Sequence, residues 1–118
     1  KMQNVNLIDS IINKLKVVNP YKIILFGSYA YGIPDKSSDL DILVITSDNY
    51  IPSNYSENST LFLKISKLLS KEKEEIPIDL IVYTKPMYEK FIELNSNFAK
   101  EIITKGKILY EADHTRVA

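Results

Sequence analysis

The chain has 118 residues, of which 45% are hydrophobic, and its 15 basic and 15 acidic side chains cancel to a formal net charge of zero. This size and hydrophobic content suit a single core, so we expect residues 1–118 to form one domain. A neutral chain has no long-range field that would attract nucleic acid or an anionic membrane, so we expect no direct nucleic-acid binding.

The first predicted elements are a helix and a buried strand that ends in a tight turn. Apolar residues recur at helical spacing from Val5 to Val18, and Asn19-Pro20 ends the helix because the residue before proline avoids helical backbone angles. The short apolar run from Tyr21 to Phe26 predicts a strand, which Gly27-Ser28 interrupts. A turn of this kind allows close backbone approach and offers amide and hydroxyl donors to phosphate oxygens.

A second strand begins with acidic residues. Residues 32–38 are a loop by composition, and residues 39–46 then alternate carboxylate with apolar side chains before becoming wholly apolar. Because side chains alternate faces along a strand, Asp39 and Asp41 point to one face and Leu40 to the other. The polar segment 47–60 is predicted to be a long connection.

Four of the eight tyrosines fall in predicted loops, where they are available to contact a nucleotide or a partner: Tyr29, Tyr31, Tyr50 and Tyr55.

The remaining chain predicts three helices and two strands. Apolar residues from Leu61 to Leu69 predict a helix, and the charged run 71–75 is predicted to be its solvated end, without a chemical role. Residues 76–83 predict a strand that carries Asp79 on the face opposite its apolar side chains.

Two further helices and a last strand complete the predicted elements. Thr84 with Pro86 marks one helix start, and Ser96 caps the last helix. Gly106 ends that helix before a short strand, residues 107–110.

The aspartates predict a metal site. Asp39 and Asp41 lie about 7 Å apart along one strand face, close enough to share a cation and to repel each other without one. Oxygen ligands without a nearby His or Cys pattern favour Mg²⁺ or Mn²⁺. If the Asp79 strand neighbours theirs, Asp79 either completes a two-metal site or acts as the base for an attacking hydroxyl.

These features together resemble the nucleotidyltransferase superfamily related to DNA polymerase beta. The resemblance rests on Gly27-Ser28, ten intervening residues, Asp39-Leu40-Asp41, and Asp79 between Ile78 and Leu80. Within that superfamily the chain looks like the minimal nucleotidyltransferases, small proteins usually encoded beside a helical HEPN partner. The likeness covers nearly the whole chain, including residues 106–110.

The resemblance implies roles for the site residues. Ser28 would bind the nucleotide phosphates beside Gly27, Asp39 and Asp41 would bind one or two Mg²⁺ ions, and Asp79 would be the third catalytic carboxylate and metal ligand. ATP would be the donor, and a tyrosine of a HEPN toxin the acceptor. Many relatives have arginine where this chain has Tyr31, so one cationic phosphate contact is expected to be missing there.

We therefore expect an α/β (α+β) nucleotidyltransferase fold, with a mixed sheet of about four strands, helices mainly on one face and the acids on the other. A chain this short implies that the acceptor is a protein docked on it, or that a homodimer completes the cleft. Two alternatives stay open: a catalytically idle antitoxin that acts by binding its partner, and transfer to a small molecule such as an aminoglycoside.

The compartment follows from composition. The chain has no cysteine, which excludes disulfides and permits a reducing environment, so the cytoplasm is the expected location. No apolar run approaches the roughly 20 residues that span a bilayer, and we expect neither a signal peptide nor a membrane anchor. His114 lies in a tail without a pattern, where we expect it to be exposed.

Overall fold

Five helices and four strands form the part of the chain that the computed structural model describes, residues 4–112. The helices are α1 Asn4–Leu15, α2 Ser28–Tyr31, α3 Tyr55–Leu68, α4 Lys85–Leu94 and α5 Asn97–Lys105. The strands are β1 Lys22–Phe26, β2 Leu40–Ile45, β3 Ile78–Tyr83 and β4 Lys107–Glu111. Within these residues no helix is long and apolar enough to cross a membrane. The expectation for His114 lies outside the described residues.

The four strands form one mixed sheet in the order β3-β2-β1-β4. β1 pairs antiparallel with both β2 and β4, whereas β2 and β3 run parallel and are connected through α3. Among the four strands, the central β1 and β2 carry the most deeply buried side chains.

Each face of the sheet has its own apolar core. On one face α1 and α3 pack against alternate strand residues; this core includes Leu7, Ile11, Leu15, Ile23, Leu25, Leu40, Ile42, Val44, Leu61, Ile65, Leu69, Leu80 and Val82. On the other face α4 and α5 pack through Tyr88, Phe91 and Ile102 against Ile24, Phe26, Leu43 and Ile45. The predicted fold class is confirmed, and the structure adds that α4 and α5 cover part of the face that carries the acids.

Side-chain caps start the last two helices, as the sequence predicts. The Thr84 hydroxyl accepts a hydrogen bond from the Met87 amide at 3.4 Å, and the Ser96 hydroxyl accepts one from the Ala99 amide at 3.1 Å. Each cap satisfies an amide that has no partner inside its helix. The caps therefore fix where the chain turns to bring α4 and α5 onto the sheet.

Helix α3 begins earlier than the apolar pattern predicts, and the expected long connection is shorter as a result. Asn54 caps the helix by accepting a hydrogen bond from the Glu57 amide at 2.9 Å, and the Glu57 carboxylate accepts one from the Ser53 amide at 3.0 Å. The first turns of α3 bury no apolar side chain, so the spacing of hydrophobic residues does not predict them. Tyr55 consequently lies in α3 rather than in a loop.

Glu72 contradicts the prediction that the charged run 71–75 is fully solvated. Its side chain is 3% exposed, accepts a hydrogen bond from the Ser10 hydroxyl at 2.5 Å, and pairs with the Lys14 ammonium at 2.9 Å. Burial alone would raise the pKa of Glu72, but the hydrogen bonds from Ser10 and Lys14 outweigh it and leave the pKa below its usual value. This carboxylate joins α1 to the segment after α3, a tertiary contact that charge patterning cannot reveal.

We expect Glu72→Gln to lower the free energy of unfolding by about 1–3 kcal/mol at pH 7, because it removes the charge that Ser10 and Lys14 face. Glu74→Gln, a change of an exposed neighbour, should stay within about 0.5 kcal/mol of the parent. Because the folded pKa of Glu72 is lowered, its contribution is present above the unfolded value of 4.5 and is lost as the pH falls through the folded value. Urea unfolding of both variants measures this, and equal stabilities would contradict the structural role of Glu72.

Candidate active site

The turn after β1 adopts a backbone conformation that requires glycine. Gly27 has φ 72° and ψ −163°, a region that is accessible essentially only to glycine. Its carbonyl accepts hydrogen bonds from the Ala30 and Tyr31 amides, each at 3.0 Å. The turn thus passes directly into α2, whose first residue is Ser28.

The carboxylate of Asp41 lies against Gly27. The antiparallel register of β1 and β2 places Asp41 opposite Phe26, and a Cβ atom on Gly27 would lie only 1.9 Å from the Asp41 Oδ2 atom. Any side chain at position 27 would therefore displace the carboxylate. The phosphate-type turn and the acidic strand are parts of one site because of this contact.

Asp79 lies beside Asp41. In the parallel pairing of β2 and β3 the two residues are direct neighbours, on strands that lie about 4.8 Å apart, and their carboxyl groups are within hydrogen-bonding reach. Asp39 precedes the first residue of β2 and is exposed, yet its charge still acts on Asp41. The structure thus brings Asp41 and Asp79 together and leaves Asp39 at the rim.

The three carboxylates create an electrostatic conflict centred on Asp41. Burial, as the largest cause, and the negative charges of Asp79 and Asp39 together raise the pKa of Asp41 from 3.8 to about 6. Each cause disfavours the ionised form, and a cation at the site would remove the repulsion.

These acids fit a magnesium nucleotide better than a closed metal cage. Within residues 4–112 no three carboxylate, imidazole or thiolate side chains already surround one point as metal ligands. Mg²⁺ in nucleotide sites usually takes one or two carboxylates and completes its shell with phosphates and water. Asp41 and Asp79, with Asp39 at the rim, meet that requirement.

Tyr31 and Tyr29 lie in α2 rather than in a loop, which corrects their predicted positions. The Tyr31 hydroxyl is buried and has no hydrogen-bond partner among the described residues. The loop prediction holds for Tyr50, which is 42% exposed, whereas Tyr55 is 84% exposed on α3.

Lys105, at the end of α5, lies beside α2, although no sequence pattern predicts that position. Its Nζ atom lies 5.6 Å from the centre of the Tyr31 ring. Lys105 follows the first aspartates by more than 60 residues, and no local pattern indicates that α5 ends beside α2.

We expect Gly27→Ala to lower the free energy of unfolding by at least about 3 kcal/mol, since it combines a forbidden backbone conformation with a clash against Asp41. Gly32→Ala is the matched control. Gly32 also has a positive φ, 86°, but a Cβ there meets no atom within 4 Å, so the cost should be about 1 kcal/mol. Chemical denaturation of both variants gives the comparison, and similar losses would show that the Asp41 contact is unimportant.

We expect Asp41→Asn to stabilise the metal-free protein at pH 7.5. The rise in pKa from 3.8 to about 6 corresponds to roughly 3 kcal/mol for a fully buried group, and solvent screening of this partly exposed carboxylate reduces it to about 1–2 kcal/mol. Because the folded pKa is raised, ionisation destabilises the fold, so the gain over the parent should be absent below pH 3.8, grow up to about pH 6 and then stay constant.

Thermal unfolding of Asp41→Asn and the parent in EDTA, at pH values from 4 to 8, measures that gain. Asp48→Asn, a change in the exposed loop after β2, is the control and should stay within about 0.5 kcal/mol of the parent. A constant difference between Asp41→Asn and the parent across this range would contradict the repulsion described above.

Comparisons with known proteins agree with this geometry. The family model described as "Polymerase beta, Nucleotidyltransferase" matches residues 6–115. An inferred protein adenylyltransferase of Methanocaldococcus jannaschii is 34% identical over 83 residues, which cover 69% of this chain and 77% of that protein.

Solved structures show the same fold. A chain of a toxin-antitoxin complex with AMP-PNP matches with a TM-score of 0.53 and 25% identity, covering 89% of this chain and 73% of that one. A chain of the complex between a tri-AMPylated Shewanella oneidensis HEPN toxin and an MNT antitoxin matches with a TM-score of 0.51 and 22% identity, covering 93% and 74%. Together with the family model and the adenylyltransferase relative, these likenesses lead to one conclusion: the chain belongs to the polymerase beta nucleotidyltransferase family.

Proposed function

We propose that this protein transfers AMP from magnesium-bound ATP to a hydroxyl group, and that the acceptor is a tyrosine of a HEPN toxin for which it is the antitoxin. The observation that carries the proposal is the pair of carboxylates, Asp41 and Asp79, which lie side by side with Asp41 against the glycine turn. Such a pair suits a divalent cation and an attacking hydroxyl, which are the two requirements of nucleotidyl transfer.

ATP is the proposed donor because of the relatives. The Methanocaldococcus jannaschii relative is an inferred adenylyltransferase, and a structural neighbour was crystallised with AMP-PNP, an ATP analogue. In this chain, Gly27 would allow the phosphates to approach the backbone, and the Ser28 hydroxyl would donate a hydrogen bond to a phosphate oxygen.

Asp41 and Asp39 would hold the magnesium ion, or two ions with Asp79. Bound there, the cation would neutralise charge on the triphosphate and orient it. The remaining chemistry belongs to the acceptor and to Asp79. The acceptor oxygen forms a bond to the α-phosphorus, the bond from that phosphorus to the bridging oxygen of the β-phosphate breaks, and pyrophosphate leaves. Asp79, the more exposed member of the pair, accepts the proton of the attacking hydroxyl.

A protein acceptor suits this site because the described residues place the acids at an exposed edge. Asp79 and Asp39 are exposed, and β3 is an edge strand of the sheet. A large partner can therefore reach the pair from outside, as in a toxin-antitoxin complex. The Shewanella oneidensis structure, in which the HEPN toxin is AMPylated, supports a HEPN acceptor. We place this reaction in the cytoplasm, and a second copy of this chain is the alternative partner at the same edge.

We expect label to pass from ATP labelled at the α-phosphate to the HEPN partner in Mg²⁺, and to fall at least about 100-fold with Asp41→Asn, because that change removes a charge that faces the metal. EDTA should abolish transfer, and added Mg²⁺ should restore it. Asp48→Asn, outside the site, should transfer label at the parental rate.

The same assay separates the alternatives. If the parent transfers no label and Asp41→Asn still neutralises the toxin, the enzyme hypothesis is wrong and the protein is an antitoxin that acts by binding alone. Transfer of label to an aminoglycoside in the absence of any protein acceptor would show that the acceptor is a small molecule rather than the HEPN toxin. Mass spectrometry of the labelled partner identifies the acceptor residue, and a site other than tyrosine would contradict that part of the proposal.

A further inference from the structure

The end of α5 is held close to β1 by a tight packing contact at Gly106. Gly106 follows Lys105, and a Cβ atom on Gly106 would lie 2.4 Å from the Ile102 carbonyl oxygen and 3.0 Å from the Ile24 Cγ2 atom. Glycine is therefore required there so that the chain can leave α5 and pair with β1. This contact holds the backbone of Lys105 near the strand that leads into Gly27.

Lys105 lies over the Tyr31 ring, with 5.6 Å between the Nζ atom and the ring centre. A lysine in this position gains cation–π attraction, yet its flexible stem leaves the ammonium group free to move to a nearby anion. The interaction places a positive charge beside α2, the helix that begins with Ser28.

The Tyr31 hydroxyl supplies a donor in the same place. It is buried without a partner among the described residues, which is costly unless something else accepts its hydrogen bond. Burial is the main cause of the raised pKa of Tyr31; the Gly27 backbone opposes it, while the negative charges of Glu101 and Asp41 and the closeness of the Glu101 carboxylate to the hydroxyl add to it. The phenol therefore keeps its proton at neutral pH and can donate it to a phosphate oxygen.

The charge balance of the site calls for a further cation. Asp39, Asp41 and Asp79 lie where a nucleotide would bring several more negative charges, and a magnesium ion offsets only two. Position 31, the last residue of α2, is a neutral tyrosine and brings no charge of its own. A cation from another element can restore the balance.

We propose that Lys105 and Tyr31 together contact the β- and γ-phosphates of the bound nucleotide, Lys105 through its charge and Tyr31 through its hydroxyl. This inference rests on the proposed function. It assigns to the end of α5 the phosphate contact that position 31 cannot make alone.

Isothermal titration with AMP-PNP and with AMP, both in Mg²⁺, tests the proposal without turnover. Lys105→Gln should weaken AMP-PNP binding roughly tenfold and change AMP binding by less than about twofold, because only AMP-PNP has the β- and γ-phosphates. Lys105→Arg should keep AMP-PNP affinity within about threefold, since it keeps the charge. Tyr31→Phe should also weaken AMP-PNP more than AMP.

Two lysines serve as controls. Lys100→Gln removes an exposed charge from the same helix, and Lys36→Gln removes one from the loop before β2; neither should alter AMP-PNP binding by more than about twofold. Equal AMP-PNP affinity of Lys105→Gln and the parent, or a loss confined to Lys36→Gln, would overturn the role of Lys105 and leave the proposed function intact. Failure of the parent to bind either nucleotide would instead overturn the proposed function and this inference with it.

Discussion

The contact between the Asp41 carboxylate and the Cα atom of Gly27 is the constraint on which the site depends. It exists only because β1 and β2 pair in a register that sets Phe26 opposite Asp41, and because position 27 has no side chain. A shift of one residue in that register would turn Asp41 into the apolar core and bring a core residue to the turn. The buried strand residues on both faces resist such a shift, so the hydrophobic cores also define the geometry of the acids.

The arrangement that suits the site to a cation also lowers the stability of the fold when no cation is bound. Pairing Asp41 with Asp79 at a partly buried position destabilises the fold whenever both are ionised, as the raised pKa of Asp41 indicates. The apolar cores on the two faces offset that cost, and a cation would turn the repulsion into attraction. The carboxylates are therefore already clustered for a positive charge before any ligand binds. Clusters of this kind, which lower stability and perturb pKa values, are typical of functional sites.

Much of the fold could be predicted because strand alternation and helix caps depend on residues that are close together in the sequence. Alternating side chains place Asp41 and Asp79 on one face, and Thr84 and Ser96 mark the helices that they cap. Contacts between distant segments could not be predicted in this way. Glu72 is buried because Lys14 and Ser10, about 60 residues earlier, lie against it. The early start of α3 depends on a cap that leaves no apolar period.

The same distinction explains why the shared face of Asp41 and Asp79 could be predicted from the sequence, whereas the position of Lys105 beside α2 could not. The aspartates belong to strands whose spacing reveals their direction, whereas Lys105 reaches α2 only because Gly106 lets α5 end close against β1. Local sequence gives no sign that Tyr31 and Lys105 are neighbours, whereas in the fold the Lys105 ammonium group lies over the Tyr31 ring.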